Sequence, residues 1–441
     1  MLASARPLCA GPDNGARTSP TMKCDLGTPG VARVLDLPTD KAGVLPNQFL
    51  DAAIASGVID AGGFKIPPEN VQPASLDLRL GEVAYRIRCS FLPAGQSVER
   101  RVKDFIIDEL NLHGEGVVLE TNRPYLIPLK ERLALPPTVR GKANPKSSTG
   151  RADVFTRVIT DRSSRFDEVA AGYQGGLYLE VVPLSFPIRV REDLSLNQLR
   201  LSTGVTELVD GDIRTFHESQ PILFSEGVAV PADQMALSGG LFLGLDLRGD
   251  EAGRVGYRAR GSAPLLDMTR ARAADPEQFW ETVRREEGER IVLTPKQFYL
   301  LMSYESVTVP PSLAAEMTAY DPTSGELRTH YAGFFDPGFG YDSEESFKGS
   351  TAALEVRAHD VPFMVEHRQR VCKLTFERML EEPTLLYGQG IGSNYQQQTE
   401  TLGKHFRLPK RDVVNPRASG RQGTIRKAAA GDQLDLLGPD S

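Results

Sequence analysis

Residues 114–137, GEGVVLETNRPYLIPLKERLALPP, and residues 288–311, GERIVLTPKQFYLLMSYESVTVPP, are two versions of one stretch. Leu119 faces Leu293 and Pro136-Pro137 faces Pro310-Pro311, at a constant offset of 174. Each version reads as an apolar run, a turn carrying Asn or Pro, an alternating run and a Pro-Pro stop, which is the pattern of consecutive short strands. Upstream, SLDLRLG (75–81) is echoed by FLGLDLRG (242–249). Downstream, Val158-Ile159-Thr160-Asp161 is echoed by Gly333-Phe334-Phe335-Asp336. Ordered self-similarity of this kind means tandem duplication of one domain, the halves meeting near residues 205–225.

Each half is mainly β. Ser75–Leu80, Val117–Glu120, Tyr125–Pro128, Leu177–Val182 and Leu241–Leu247 are short, alternating and divided by Pro and Gly, as in a sandwich or barrel. Helices are few: residues 46–59 space Phe49, Ala53, Ile54 and Val58 on one face, and residues 276–286 predict a second helix around Phe279, Trp280 and Val283. Residues 1–43 and 407–441, rich in Gly, Pro, Ala and Arg, read as disordered extensions flanking domains at 44–215 and 216–406; Met1 and Met22 are both candidate starts.

A chain of 441 residues with 40% hydrophobic and 25% charged residues suits two well-cored domains. No run approaches the roughly 18 apolar residues of a membrane span, and no basic start precedes an apolar stretch, so a cytoplasmic protein is expected. The net charge of -7 argues against nucleic acid as the main partner. Cys9, Cys24, Cys89 and Cys372 form no CxxC pair and imply no structural zinc; Cys89 and Cys372 read as small core hydrophobes.

Two strands carry a lone carboxylate: Gly176-Leu177-Tyr178-Leu179-Glu180-Val181-Val182 and, 175 positions on, Ala352-Ala353-Leu354-Glu355-Val356. Alternation puts Tyr178, Glu180 and Val182 on the face opposite Leu179 and Val181, which suits either a solvated glutamate or a functional one. Between the strands of the first half, Asn144–Arg151 (NPKSSTGR) combines small residues, hydroxyls and two cations, the chemistry of an anion-binding loop as well as of an ordinary turn.

The ordered set VQPASLDLRLG, KSSTGR and GYQGGLYLEV resembles the dCTP deaminase family of the trimeric dUTPase-like superfamily, over about residues 46–200 and again over 240–400. The resemblance implies a duplicated dUTPase-like β-barrel. It places the triphosphate on Lys146, Ser147, Ser148 and Arg151, and makes Glu180, after the Tyr173-Gln174-Gly175 turn, the catalytic group with Glu355 as its second-half counterpart. Asp161 falls in the sugar and base pocket, and Tyr178 shares the face of Glu180. In the second half, acidic Asp321 and Glu326 stand opposite the loop's cations, Arg328 is a compensating cation, and Asp336 opens an Asp336-Pro337-Gly338 turn. A closing lid brings Tyr387, Tyr395 and Gln398, with Asn394 where lysine is usual. The expected site joins the first half's loop and glutamate to the second half's lid.

The implied activity is hydrolysis of dCTP to dUTP and ammonia, feeding dUTP and dTTP synthesis. The zinc-deaminase pattern, H-x-E with P-C-x-x-C, is absent from the sequence, so one partly desolvated carboxylate must activate water, protonate N3 and release ammonia. Mg2+ enters with the triphosphate, not as a caged ion, and a homo-oligomer is expected. The alternatives are a dUTP diphosphatase, a bifunctional deaminase and diphosphatase, and a non-catalytic nucleotide-binding protein. At the C-terminus, Gln433-Leu434-Asp435-Leu436-Leu437 resembles a sliding-clamp docking peptide on a basic linker, or is simply solvated chain.

Overall fold

The alternating apolar residues of the first half close two sheets on one core. The structure, a computed structural model, describes residues 35–318, 327–329, 333–342, 348–358, 360–388 and 400–408. Strands β1 (Leu76–Arg79), β2 (Val83–Ile87), β3 (Tyr125–Ala134), β4 (Val139–Pro145), β5 (Val154–Thr160), β6 (Gln174–Pro183) and β7 (Ser195–Thr203) are the frame. One sheet runs β1–β7–β4 and ends on Glu168–Val169; the other runs β2–β3–β6–β5, with Ile106–Asn111 on its outer edge. Leu78, Leu179, Val181 and Leu199 meet between them, wholly buried.

The second half repeats this order. Strands β8 (Leu241–Gly244), β9 (Arg254–Ala259), β10 (Phe298–Val307), β11 (Leu313–Thr318), β12 (Ser350–Ala358) and β13 (Arg370–Arg378) pair as β8–β13–β11, ending on Phe334–Phe335, and as β9–β10–β12. The fold is thus a duplicated dUTPase-like β domain with short helices. Among them are α1 (Asn47–Ala55), α2 (Val98–Val102) and the single turn α3 (Ser147–Gly150). The halves share one core, because Phe186 packs edge-on against Phe279 at 5.3 Å and Trp280 at 5.2 Å, with Phe406 behind them. Among the described residues no helix is long and apolar enough to cross a membrane.

The register corrects two of the echoes. Leu76 pairs with Leu199 and Leu241 with Leu374, so LFLG (241–244) is the structural counterpart of LDLR (76–79), and the identical LDLR at 245–248 lies four residues out of place. Asp77 therefore answers to Phe242. Likewise Phe334 and Phe335 pair with Glu316 and Ala315 as Glu168 and Val169 pair with Lys142 and Gly141. The backbone N–H of Val309 donates to Phe339 as that of Leu135 donates to Tyr173. Asp336-Pro337-Gly338 thus takes the place of Ala170-Ala171-Gly172, and Asp161 is not its counterpart.

Two local expectations also change. The helix expected over 276–286 stops at Phe279, and Trp280–Arg284 becomes a strand, since β-branched Thr282 and Val283 pair with Tyr257 and Gly256 of β9. Cys372 is buried, its thiol pushed up to about 12 by burial, but Cys89 is exposed at a bend beyond the end of β2.

Candidate active site

The turn α3 follows β4 directly, with Lys146 as its extended N-cap and Arg151 closing it; the Gly150 N–H donates to Lys146 O at 3.0 Å and the Arg151 N–H to Ser147 O at 3.0 Å. Ser148, Thr149 and Arg151 are buried, and Ser147 is half-buried. Lys146 forms an ion pair with Asp77 of β1. The loop of the sequence analysis is thus a compact, cation-flanked turn, and Asp77 is a member that the sequence placed only in a strand motif.

The carboxylate against this turn is Glu355, not Glu180. A methyl group on Gly150 would lie 2.7 Å from each Glu355 oxygen, so only glycine lets the carboxylate come so close. Alternation along β12 sends Leu354 and Val356 into the second core and Glu355 to the other face, where the first half's turn covers it. Burial pushes the Glu355 carboxyl up to about 8; the nearby Arg151 pulls it down and the Asp153 carboxylate pushes it up. Asp153 is itself held by Arg357 and Ser185, each at 2.5 Å.

Glu180 occupies the matching place on β6, yet its surroundings differ. Arg157, directly across on β5, donates to Glu180 Oε1 at 2.7 Å, and its guanidinium lies over the Phe166 ring at 3.9 Å. The same guanidinium reaches Ser90 at 3.0 Å. Ser90 belongs to the segment that leads into α2, whose Val98 and Val102 pack with Phe91 against Tyr178. This segment belongs to the same half as Glu180, and Glu180 is 0% exposed. Asp167, whose backbone-capping carboxylate accepts the Val158 N–H at 2.7 Å, is pushed up to about 7 by burial, with the Glu180 charge adding to the rise.

The other expected site residues divide between these places. The Asp161 carboxylate accepts the Val98 N–H at 2.7 Å and lines a cavity of about 600 Å³ with Arg100, Arg162 and Gln174, away from the α3 turn's partners. Tyr178 donates to Glu99 at 3.3 Å inside the α2 cluster. Asp336 is buried between the halves: Arg200 donates to it at 3.1 Å, Ser75 approaches at 3.4 Å, and burial raises its carboxyl against the pull of Arg200, with Asp77 near enough to add to the rise. Tyr387 docks on the turn after Asp336, its N–H donating to Pro337 O at 2.9 Å. The backbone of Arg328 pairs opposite Arg357. Tyr395, Gln398 and the 433–437 pentapeptide lie outside the described residues.

A second group went unseen in the sequence. The Arg151 guanidinium donates to Thr401 O at 3.2 Å, and Gly403 packs over Arg151 and Ser148. Lys404 is part of the folded body, within the second domain expected over 216–406. The Thr-Leu-Gly-Lys run (401–404) carries no motif; only its place ahead of the tail expected from residue 407 hinted at a fold.

One place therefore gathers Asp77, Lys146, α3 and Arg151 from the first half with Asp336, Glu355 and 401–404 from the second. The missing pieces are complementary. The first half has Ala170 where the second has Asp336, and the second has Phe242 where the first has Asp77.

The sequence as a whole matches two family models: the 2'-deoxycytidine 5'-triphosphate deaminase N-terminal domain over residues 41–205 and the corresponding C-terminal domain over residues 210–406. A dCTP deaminase of Natronomonas pharaonis is 30% identical over 148 residues, 32% of this chain and 73% of that protein. A dUMP-forming dCTP deaminase of Pseudarthrobacter chlorophenolicus is 30% identical over 30% of this chain and 70% of its own. The crystal structure of 2'-deoxycytidine 5'-triphosphate deaminase from Agrobacterium tumefaciens superposes with a TM-score of 0.74 at 43% identity, covering 80% of this chain and 99% of that one. With both halves matched and the duplicated sheets shared with a solved relative, the chain belongs to the 2'-deoxycytidine 5'-triphosphate deaminase family.

Proposed function

We propose that the chain hydrolyses dCTP to dUTP and ammonia at one site per chain, with the first half's α3 turn holding the triphosphate and Glu355 moving the protons. The observation that carries this reading is the contact of the Glu355 carboxylate with Gly150, between Lys146 and Arg151. Deamination adds water across C4 and expels the amine, so a group must take a proton from water and give protons to N3 and to the leaving nitrogen. A carboxyl lifted to about 8 exchanges protons readily near neutral pH. Glu180, engaged by Arg157 and covered by its own half, is assigned a structural role.

The cations flanking α3 suit a polyphosphate by charge-assisted hydrogen bonding, and the buried Ser148 adds a hydroxyl. Asp77 Oδ1, buried without a hydrogen-bond partner among the described residues, fits a Mg2+ that arrives on the triphosphate and keeps most of its waters.

Incubation with dCTP, followed by ammonia assay and ion-exchange separation of nucleotides, tests the reading. Stoichiometric ammonia and dUTP with its triphosphate intact is the expected result. Ammonia with dUMP and pyrophosphate gives the dUMP-forming activity for which the Pseudarthrobacter relative is named. Absence of ammonia overturns the reading.

A further inference from the structure

The two glutamate strands diverge two residues after the glutamate. Leu179 pairs with Ile127 and Leu354 with Leu301, so β6 and β12 share one register, and Val182 of the first half answers to Arg357 of the second. Residues i and i+2 of a strand share a face, so Arg357 projects beside Glu355. Their partners across the strand pair, Phe298 and Leu300, belong to the core that the halves share. This face of β12 is therefore the one laid against the first half.

Asp153 stands opposite Arg357, three residues after Gly150. Its N–H donates to Gly150 O at 2.8 Å and its carbonyl accepts the Leu184 N–H at 3.0 Å. Its Oδ2 accepts both Ser185 Oγ and Arg357 Nη2, at 2.5 Å each, while Arg357 Nη1 donates to Lys296 O at 2.5 Å. The Asp153 side chain is 0% exposed, and its backbone has the left-handed φ of 55° that Gly, Asn and Asp tolerate best. A charge buried that deeply is retained only with a partner, and here one partner comes from each half. The turn and the strand thus meet at two points, Gly150 on Glu355 and Asp153 on Arg357.

We propose that Asp153 and Arg357 are positioning residues for the reaction, their ion pair across the junction holding the α3 turn in register with β12 so that Glu355 lies against Gly150. The proposal rests on Glu355 as the proton-moving group. A second consequence follows from the same contact: Arg151 and Asp153 are the charged groups acting on Glu355, Arg151 pulling its carboxyl down and Asp153 pushing it up. The test is ammonia release from dCTP as a function of pH by wild type, Asp153→Asn, Arg357→Gln and the double variant, with urea unfolding of the same four proteins.

Asp153→Asn keeps the shape and suits the left-handed backbone, but removes a like charge from beside Glu355. The rising limb of its kcat/KM profile should move to lower pH by about one unit. In both single variants kcat should fall about tenfold or more, the effect of a misplaced proton-transfer group, with KM for dCTP within about threefold of wild type. In urea the double variant should be no less stable than the weaker single one, because each substitution breaks the same pair. An unmoved limb in Asp153→Asn overturns the proposal, as do unfolding losses that simply add. Should Asp153→Asn not fold, Asp153→Gly, which also suits the backbone, carries the same comparison. If wild type releases no ammonia, the assigned reaction falls, while the urea cycle still decides whether the pair fastens the halves.

Discussion

Glu180 and Glu355 sit on strands of nearly the same pattern, and what separates them is the group laid over each one. Arg157 lies across from Glu180, whereas a glycine turn lies against Glu355. That difference was not legible in the sequence, because it depends on which half covers which strand; the presence of two buried-strand glutamates was legible. A base with its carboxyl at about 8 must lose its proton to act, so kcat/KM should climb with pH up to about 8 and level off above it. Arg151→Ala removes the charge that pulls Glu355 down, so it should move this limb to higher pH and also raise KM for dCTP; an unmoved limb contradicts the contact. Stability has the opposite sign. The folded value lies above the ordinary 4.5, so the folded chain holds the extra proton, and stability falls as pH rises from about 4.5 to about 8. Glu355→Gln, which cannot ionise, should therefore melt higher than wild type above pH 8, as read by thermal unfolding across that range.

At the scale of elements, one turn and two registers decide the site. Gly150 is the residue that lets α3 touch Glu355, so Gly150→Ala should cut kcat at least tenfold while the chain still folds, because the added methyl lies 2.7 Å from both carboxylate oxygens. Full activity in a folded Gly150→Ala protein, checked by circular dichroism and ammonia release, contradicts that geometry. The loop itself was readable from KSSTGR, and the repeated strands from their alternation. The pairing of the repeats was less so. The identical LDLR tetrapeptides and the two Asp-ended echoes aligned by letters alone, while hydrogen-bond register, which a single sequence does not display, moved each by several residues. Once moved, Asp77 and Asp336 become features of one half each.

For the whole molecule, the two halves are complementary and not equal: Asp77 belongs to the first alone and Asp336 to the second alone. Arg200 holds them together where the site is built: it donates to Asp336 at 3.1 Å, to Glu377 at 3.0 Å and to Ala315 O at 3.1 Å, all across the junction. Arg200→Met leaves two poorly solvated carboxylates without their cation, so a loss of roughly 3–5 kcal/mol is expected from breaking such a buried pair. It should appear as a lower unfolding midpoint in urea; a midpoint within error of wild type contradicts this role. Composition and repeats made the two-half plan legible, but the proposed sharing of one site between halves rests on an interface whose contacts come from residues more than a hundred positions apart. The most direct measurement is ammonia release at saturating dCTP by Glu355→Gln and Glu180→Gln side by side. A fall of at least about 10²-fold in kcat for Glu355→Gln, the scale of a lost general acid–base group, with Glu180→Gln within a few-fold of wild type, is the predicted result. Near wild-type turnover by Glu355→Gln, or the large loss falling on Glu180→Gln instead, would contradict it.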